Sequence, residues 1–215
     1  MKKIPLFPLP LVVLPGEPLL LHIFEDRYKD LLQDIREAGQ ANEFAEFGIV
    51  LSQEGRHVDV GTTVALTEVF DETEDGRLNI MVTGHLRFKI DAKDDSLTYE
   101  QARVSFINDI SSDWDEEKGN RAFKLHREIS AQVLGAYPAD EVYEGQVQLS
   151  YLLAQSAGLD IEIRQKLIEL PTENDRLDLL GDYFEVLLPE MQRIGQIKAR
   201  ARENWSLQEH LRGQR

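Results

Sequence analysis

The stretch MKKIPLFPLPLVVLPGEPLLLHIFEDRY, residues 1–28, decides how the chain is read. Two lysines ahead of an apolar run have the look of a secretory signal. Such a signal needs an uninterrupted apolar core of roughly 7–15 residues and a small-x-small cleavage site. Pro5, Pro8, Pro10, Pro15 and Pro18 leave Leu11-Val12-Val13-Leu14 as the longest apolar run between any two of them. Each proline fixes φ and removes a backbone donor, so no helical signal core forms. No Ala-x-Ala follows. The N-terminus is therefore expected to be kept, and the stretch reads as the first piece of a fold. Residues 4–9 suit an irregular edge strand, because edges tolerate proline. Residues 12–18 turn the chain, and residues 19–24 read as a buried strand. A helix starts at Glu25-Asp26, whose charges suit its N-terminal dipole. Tyr28, Leu31, Leu32 and Ile35 share one helical face, and Gly39 is placed to stop it.

From Phe47 to Ile110 the apolar period becomes two. Strands are expected at 47–51, 58–66, 67–70, 78–82, 86–90 and 98–106, with Asp75-Gly76 as a hairpin turn. Around Ser111-Ser112-Asp113 the pattern turns helical. Ala122, Leu125, Ile129 and Val133 form one stripe that ends near Gly135. A second helix runs through Val147, Tyr151 and Leu152 to Gly158. A third starts at Asp160 and stops at Pro171. Thr172-Glu173-Asn174-Asp175 resembles a capping box with a shorter acid. The long helix after it carries Leu177, Leu180, Phe184, Leu187 and Leu188 to Pro189 or beyond. The expected fold is α+β: a β-rich subdomain with one helix over 1–110, an all-α helical bundle over 111–188, and a basic helical tail over 189–215.

The 215 residues carry a formal net charge of −15 and no cysteine. A surface this acidic repels phosphate backbones and disfavours nucleic acid as a partner. The absence of cysteine excludes disulfides, thiolate catalysis and Cys-based zinc sites, and suits a reducing compartment. No segment approaches the ~20 apolar residues of a membrane span. The expected location is cytoplasmic. Charge is uneven: residues 1–110 and 111–188 are each −9, whereas 189–215 are +3. That tail either seeks an acidic partner, folds back on the acidic body, or frays in solvent.

Motifs for catalysis are missing. The chain has no P-loop, no Gly-x-Ser-x-Gly elbow and no His-Glu-x-x-His. His22, His57, His85, His126 and His210 are scattered. The run Asp71-Glu72-Thr73-Glu74-Asp75-Gly76 imitates the start of a calcium loop. Its twelfth position, where a bidentate glutamate is required, is Val82. No metal, cofactor or nucleotide is expected. The densest polar cluster is Glu25-Asp26-Arg27-Tyr28. It reads either as a polar pocket at a helix start or as a folding device, with Tyr28 on the apolar stripe and Arg27 tying down a loop.

Several of these motifs carry a resemblance. Pro5-Leu6-Phe7-Pro8-Leu9, Val13-Leu14-Pro15-Gly16-Glu17 and Leu21-His22-Ile23-Phe24-Glu25-Asp26-Arg27-Tyr28 resemble the opening signature of the Lon N-terminal (substrate-binding) domain family. Phe47-Gly48-Ile49-Val50, Val60-Gly61-Thr62-Thr63-Val64-Ala65 and Gly84-His85-Leu86-Arg87-Phe88-Lys89-Ile90 are similar to its next elements, in order. Lys166-Leu167-Ile168-Glu169-Leu170 and Asp175-Arg176-Leu177 resemble the segment that ends the domain in Lon. The likeness spans about residues 4–188. It implies a PUA-like pseudo-barrel followed by helices, and a role in recognising protein substrates. The ATPase and Ser-Lys protease modules of Lon have no counterpart in these residues, so neither activity transfers. The chain looks like the short, stand-alone Lon-domain proteins of bacteria.

The leading expectation is a non-catalytic protein-recognition module that binds unfolded or exposed segments of other proteins. Phe24, Arg27, Tyr28 and Phe47, with the Pro-rich segment, form its candidate surface. A PUA-like fold also raises nucleic-acid binding, although fold does not carry function. A hydrolase would need a carboxylate pair or a Ser/His arrangement converging in a cleft.

Overall fold

The computed structural model describes residues 2–53, 55–73, 77–110, 115–139, 143 and 148–212. The Asp75-Gly76 turn, the Ser111–Asp113 junction and Val147 lie outside them, as do the side chains of Trp205 and of the tail cations from Lys198 onward. The elements are β1 (Lys2–Leu9), β2 (Pro18–Ile23), α1 (Asp26–Gln40), β3 (Glu46–Gln53), β4 (Arg56–Glu72), β5 (Leu78–Asp94), β6 (Gln101–Ile107), α2 (Glu116–Leu134), α3 (Leu149–Ser156), α4 (Ile161–Glu169) and α5 (Glu173–Arg212). The fold is α+β. Two compact units share the chain: Met1–Ser112 with Gly158–Thr172, and Asp113–Ala157 with Glu173–Arg215.

In the first unit the strands follow the order β2-β5-β4-β3-β1-β6, and β5 also pairs with β6. The sheet thereby closes on itself. Two long strands make closure possible: β4 and β5 are 17 residues each, and three register shifts along their ladder bend them. Bulges of this kind add twist and curvature to a sheet. The strands expected separately at 58–66 and 67–70 are one strand, as are 78–82 and 86–90. Two apolar clusters cover opposite faces of β1 and β3. One joins Phe7, Leu21, Ile23, Phe47, Ile49, Ile80 and Val82 to the buried face of α1, with Tyr28, Leu31, Leu32 and Ile35. The other holds Ile4, Leu6, Val50, Phe88 and Val104.

The two proline-flanked strands exchange the roles expected of them. β1 is not an edge. Its first half pairs antiparallel with β6, Lys2 opposite Val104, and its second half runs parallel to β3, Leu6 opposite Gly48. Each half has a different neighbour, so Pro5 and Pro8 occupy a strand that is paired throughout. The edge is β2, whose only strand neighbour among the described residues is β5. The turn between them is held from far along the chain. Arg164 of α4 donates Nε and Nη2 to the Val12 carbonyl at 3.1 and 2.8 Å and pairs with Glu17.

Helix ends follow local chemistry. Asp115 caps α2, accepting from the Glu117 and Lys118 amides. Gly135 ends it at φ 75°, and Gly158 takes φ 63° two residues past α3. Asp160 occupies the N-cap of α4 and its carbonyl accepts the Arg164 amide, but its side chain makes no capping bond. Gly39 does not stop α1. The helix runs to Gln40, and the reversal falls on Asn42 at φ 54°, an asparagine conformation tolerated in turns. α5 continues through Pro189 to Arg212.

Candidate functional site

β2 begins as an all-apolar run, which is why its period is hidden in the sequence. Leu21 and Ile23 point into the core, while Leu20, His22 and then Phe24 point outward. Leu20 is 60% exposed and Phe24 59%. The His22 ring lies 5.9 Å from the Phe24 ring, and its Nδ1 is 2.8 Å from Asn79 Oδ1 across the ladder. Leu20 stands opposite Met81, which stands opposite Glu68 of β4.

The backbone of β2 is oriented to match. The Gly84 amide donates to the Glu17 carbonyl at 2.9 Å. Bonded and non-bonded pairs alternate in an antiparallel ladder. Leu19, Leu21 and Ile23 therefore turn their amides and carbonyls to β5, and Leu20 and His22 turn theirs to the open edge. Natural edge strands are commonly guarded by lysine, a bulge or inward charges. β2 has no lysine, inward charge or register shift among its described residues, and Pro18 stands at its first position.

The four expected site residues separate into two pairs. Phe24 is on the surface. Arg27 is half exposed, bonds Glu25 Oε2 through Nε at 2.9 Å, and stacks 4.5 Å above the Tyr28 ring. Tyr28 is only 6% exposed and packs on Phe7 at 3.9 Å between centroids. Burial raises the pKa of its phenol, with Arg27 pulling the other way. Phe47 is 0% exposed, 6.1 Å from Phe7. Tyr28 and Phe47 are core residues, because the apolar stripe of α1 and the inner face of β3 must both be covered. Leu20 is the surface residue that sequence reading missed. Only the phase set by the buried Leu21 and Ile23 reveals it.

The helical unit contains a Ser/His contact. Ser156 Oγ lies 2.9 Å from His126 Nε2, and Tyr143 Oη lies 3.2 Å from Nδ1. Burial lowers the His126 pKa to about 4. A base that weak, with a phenol rather than a carboxylate on its second nitrogen, is poorly suited to activate serine. Among the described residues no three His, Asp or Glu side chains group to hold a metal ion. No described helix is long and apolar enough to cross a membrane.

A self-closing sheet carrying one open edge strand, together with a helical unit, places the chain in the class of mixed α+β proteins. The family can be stated outright. The ATP-dependent protease La (LON) substrate-binding domain matches residues 3–185, and the chain belongs to that family. The crystal structure of a Lon N-terminal domain protein from Xanthomonas campestris is similar, with 27% identity and a TM-score of 0.63, over 84% of this chain and 97% of that one. The N-terminal domain of Mycobacterium avium complex Lon protease shares the fold at 18% identity and a TM-score of 0.62, over 86% of this chain and 98% of that one. No curated protein matches.

Proposed function

We propose that this chain is a non-enzymatic, cytoplasmic protein-recognition module that binds extended, exposed segments of other proteins along β2. One observation carries the reading. β2 offers an unpaired backbone edge and, in phase with it, the exposed side chains of Leu20 and Phe24. An extended peptide that adds to such an edge gains main-chain hydrogen bonds and places alternate side chains on the apolar row. Glu25 and Asp26 close one end of that row, and Glu68 lies behind it, so a segment mixing apolar and basic residues is the best match. Membership of a substrate-binding family supports a protein partner. The net charge of −15 weighs against nucleic acid. Within the proposed site, Phe24 and Leu20 contact the partner, Arg27 flanks them, and Tyr28 and Phe47 hold the strand and helix behind.

The test is anisotropy of a fluorescein-labelled, unstructured peptide rich in leucine and lysine. Binding should weaken at least tenfold in the double variant Leu20→Ser, Phe24→Ser, with an unchanged melting temperature. Affinity equal to that of the parent protein would reject the site. A labelled RNA of matched length should show no salt-sensitive binding.

A further inference from the structure

The Ser/His contact that makes a poor catalyst borders a cavity of about 230 Å³ within the helical unit. His126, Ser130 and Val133 line it from one face of α2, at spacings of four and three. Leu152 and Ser156 line it from α3, four apart, and Tyr143 from the segment between the helices. Its volume exceeds the about 150 Å³ of an engineered apolar cavity that stays dry and binds benzene.

The polar atoms are gathered at one place. His126 is 3% exposed, and its ring meets hydroxyls on both nitrogens: Tyr143 at Nδ1, and Ser156 and Ser130 at Nε2, the latter at 3.5 Å. The ring also rests 5.9 Å from the Phe184 ring. A neutral imidazole has one donor and one acceptor, and each hydroxyl has one donor and two acceptor sites. Whichever nitrogen carries the proton, Ser156 Oγ keeps an acceptor site after bonding His126. Burial leaves the imidazole uncharged at neutral pH, and among the described lining residues there is no Asp, Glu, Lys or Arg. An ionised ligand would lose its hydration without a counter-charge from those residues.

We infer that this cavity is a binding site for a neutral, ring-sized apolar group bearing one polar hydrogen, anchored by donation to Ser156 Oγ. Such a group is either a free small molecule or the tryptophan or tyrosine side chain of a bound protein. The chemistry is the same for both, and the site is separate from the β2 edge.

Binding to the full chain is followed through the His126 ring nitrogens by 15N-resolved NMR, with indole, toluene and N-acetyltryptophanamide as probes. Indole should produce saturable shifts of the His126 resonances. The variant Ser156→Ala, at an exposed position, should weaken indole at least fivefold and leave toluene within twofold. Val133→Trp, at the exposed rim, should weaken both at least tenfold. Saturable binding of N-acetyltryptophanamide assigns the ring to a protein side chain; its exclusion while indole binds assigns a free molecule. Absence of saturable shifts with all three probes overturns the inference and leaves a water-filled cavity. Equal losses of indole and toluene in Ser156→Ala overturn the anchor.

Discussion

The Arg87 guanidinium donates to the Ile168 carbonyl at 2.9 Å, joining residues 81 apart in the chain. Its Nη1 also reaches the Leu170 carbonyl at 2.6 Å, and Nη2 pairs with Asp109. One buried cation thus closes the C-terminal end of α4, where carbonyls lack helical partners. The arginine of the Gly-His-Leu-Arg-Phe-Lys-Ile stretch is therefore a structural clamp. Arg87→Ala should cost roughly 3–5 kcal/mol by removing the buried guanidinium that pairs with Asp109 and bonds two carbonyls. Arg87→Lys should recover only part of that, because an ammonium cannot fork. Urea unfolding of the three proteins measures both; equal stability would remove the clamp.

Glu173 and Arg176 form a second buried pair, at 2.7 Å. Glu173 Oε1 also accepts the Ser150 amide, and Oε2 the Ser150 hydroxyl, each at 2.7 Å, so one carboxylate ties the start of α3 to the start of α5. Glu173→Gln should destabilise by about 3 kcal/mol, since it removes the negative charge from a buried, multiply bonded ion pair. The melting temperature should fall by several degrees, more than for Glu190→Gln on the exposed side of α5.

His126 makes stability depend on pH. Its pKa falls from 6.5 to about 4 on folding because burial disfavours the charged ring. Above 6.5 the ring is neutral in both states and adds no pH dependence. Between 6.5 and about 4 the unfolded chain takes up a proton that the folded chain refuses, so stability declines as pH falls. The loss should reach about 2 kcal/mol by pH 5. Chemical denaturation at pH 7.5, 6.5, 5.5 and 5 reads it. The variant His126→Asn should flatten the slope in that window; an unchanged slope would place the titration elsewhere.

Two glycines should respond in opposite directions. A Cβ on Gly84 would sit 2.1 Å from the Leu14 carbonyl oxygen, so Gly84→Ala must push the turn away from β5 and should cost at least about 2 kcal/mol. A Cβ on Gly195 meets nothing within 4 Å. There Gly195→Ala should stabilise α5 by about 0.5–1 kcal/mol, the ordinary helix-propensity gain. Thermal melts of the two single variants decide the point.

The helices were legible wherever a periodic stripe met a local stop. Ala122 and Ile129 mark the buried face of α2, Gly135 its end, and Pro171 the stop after α4. Strand existence was also legible, but strand continuity was not. The bulges that carry β4 through 17 residues occupy positions where the alternation breaks, and a break in period looks like an end. The exposure of the candidate residues was half legible. Phe24 stood out beside the helix start, whereas Tyr28 and Phe47 look the same in sequence whether they face a partner or the core.

By itself the sequence determined that these residues fold as strands and then helices, and that the motifs are those of a Lon substrate-binding domain. Those properties rest on φ restriction, side-chain period and local caps, all within a few residues of chain. Only the tertiary structure decided that β1 is paired on both halves while β2 is the open edge, since pairing depends on partners 40 to 100 residues away. It also decided that Arg164 fixes the proline turn, and that Leu20 and Phe24 stay exposed while Tyr28 and Phe47 are covered. Burial is a property of what arrives from elsewhere in the chain, and residue type alone does not contain it.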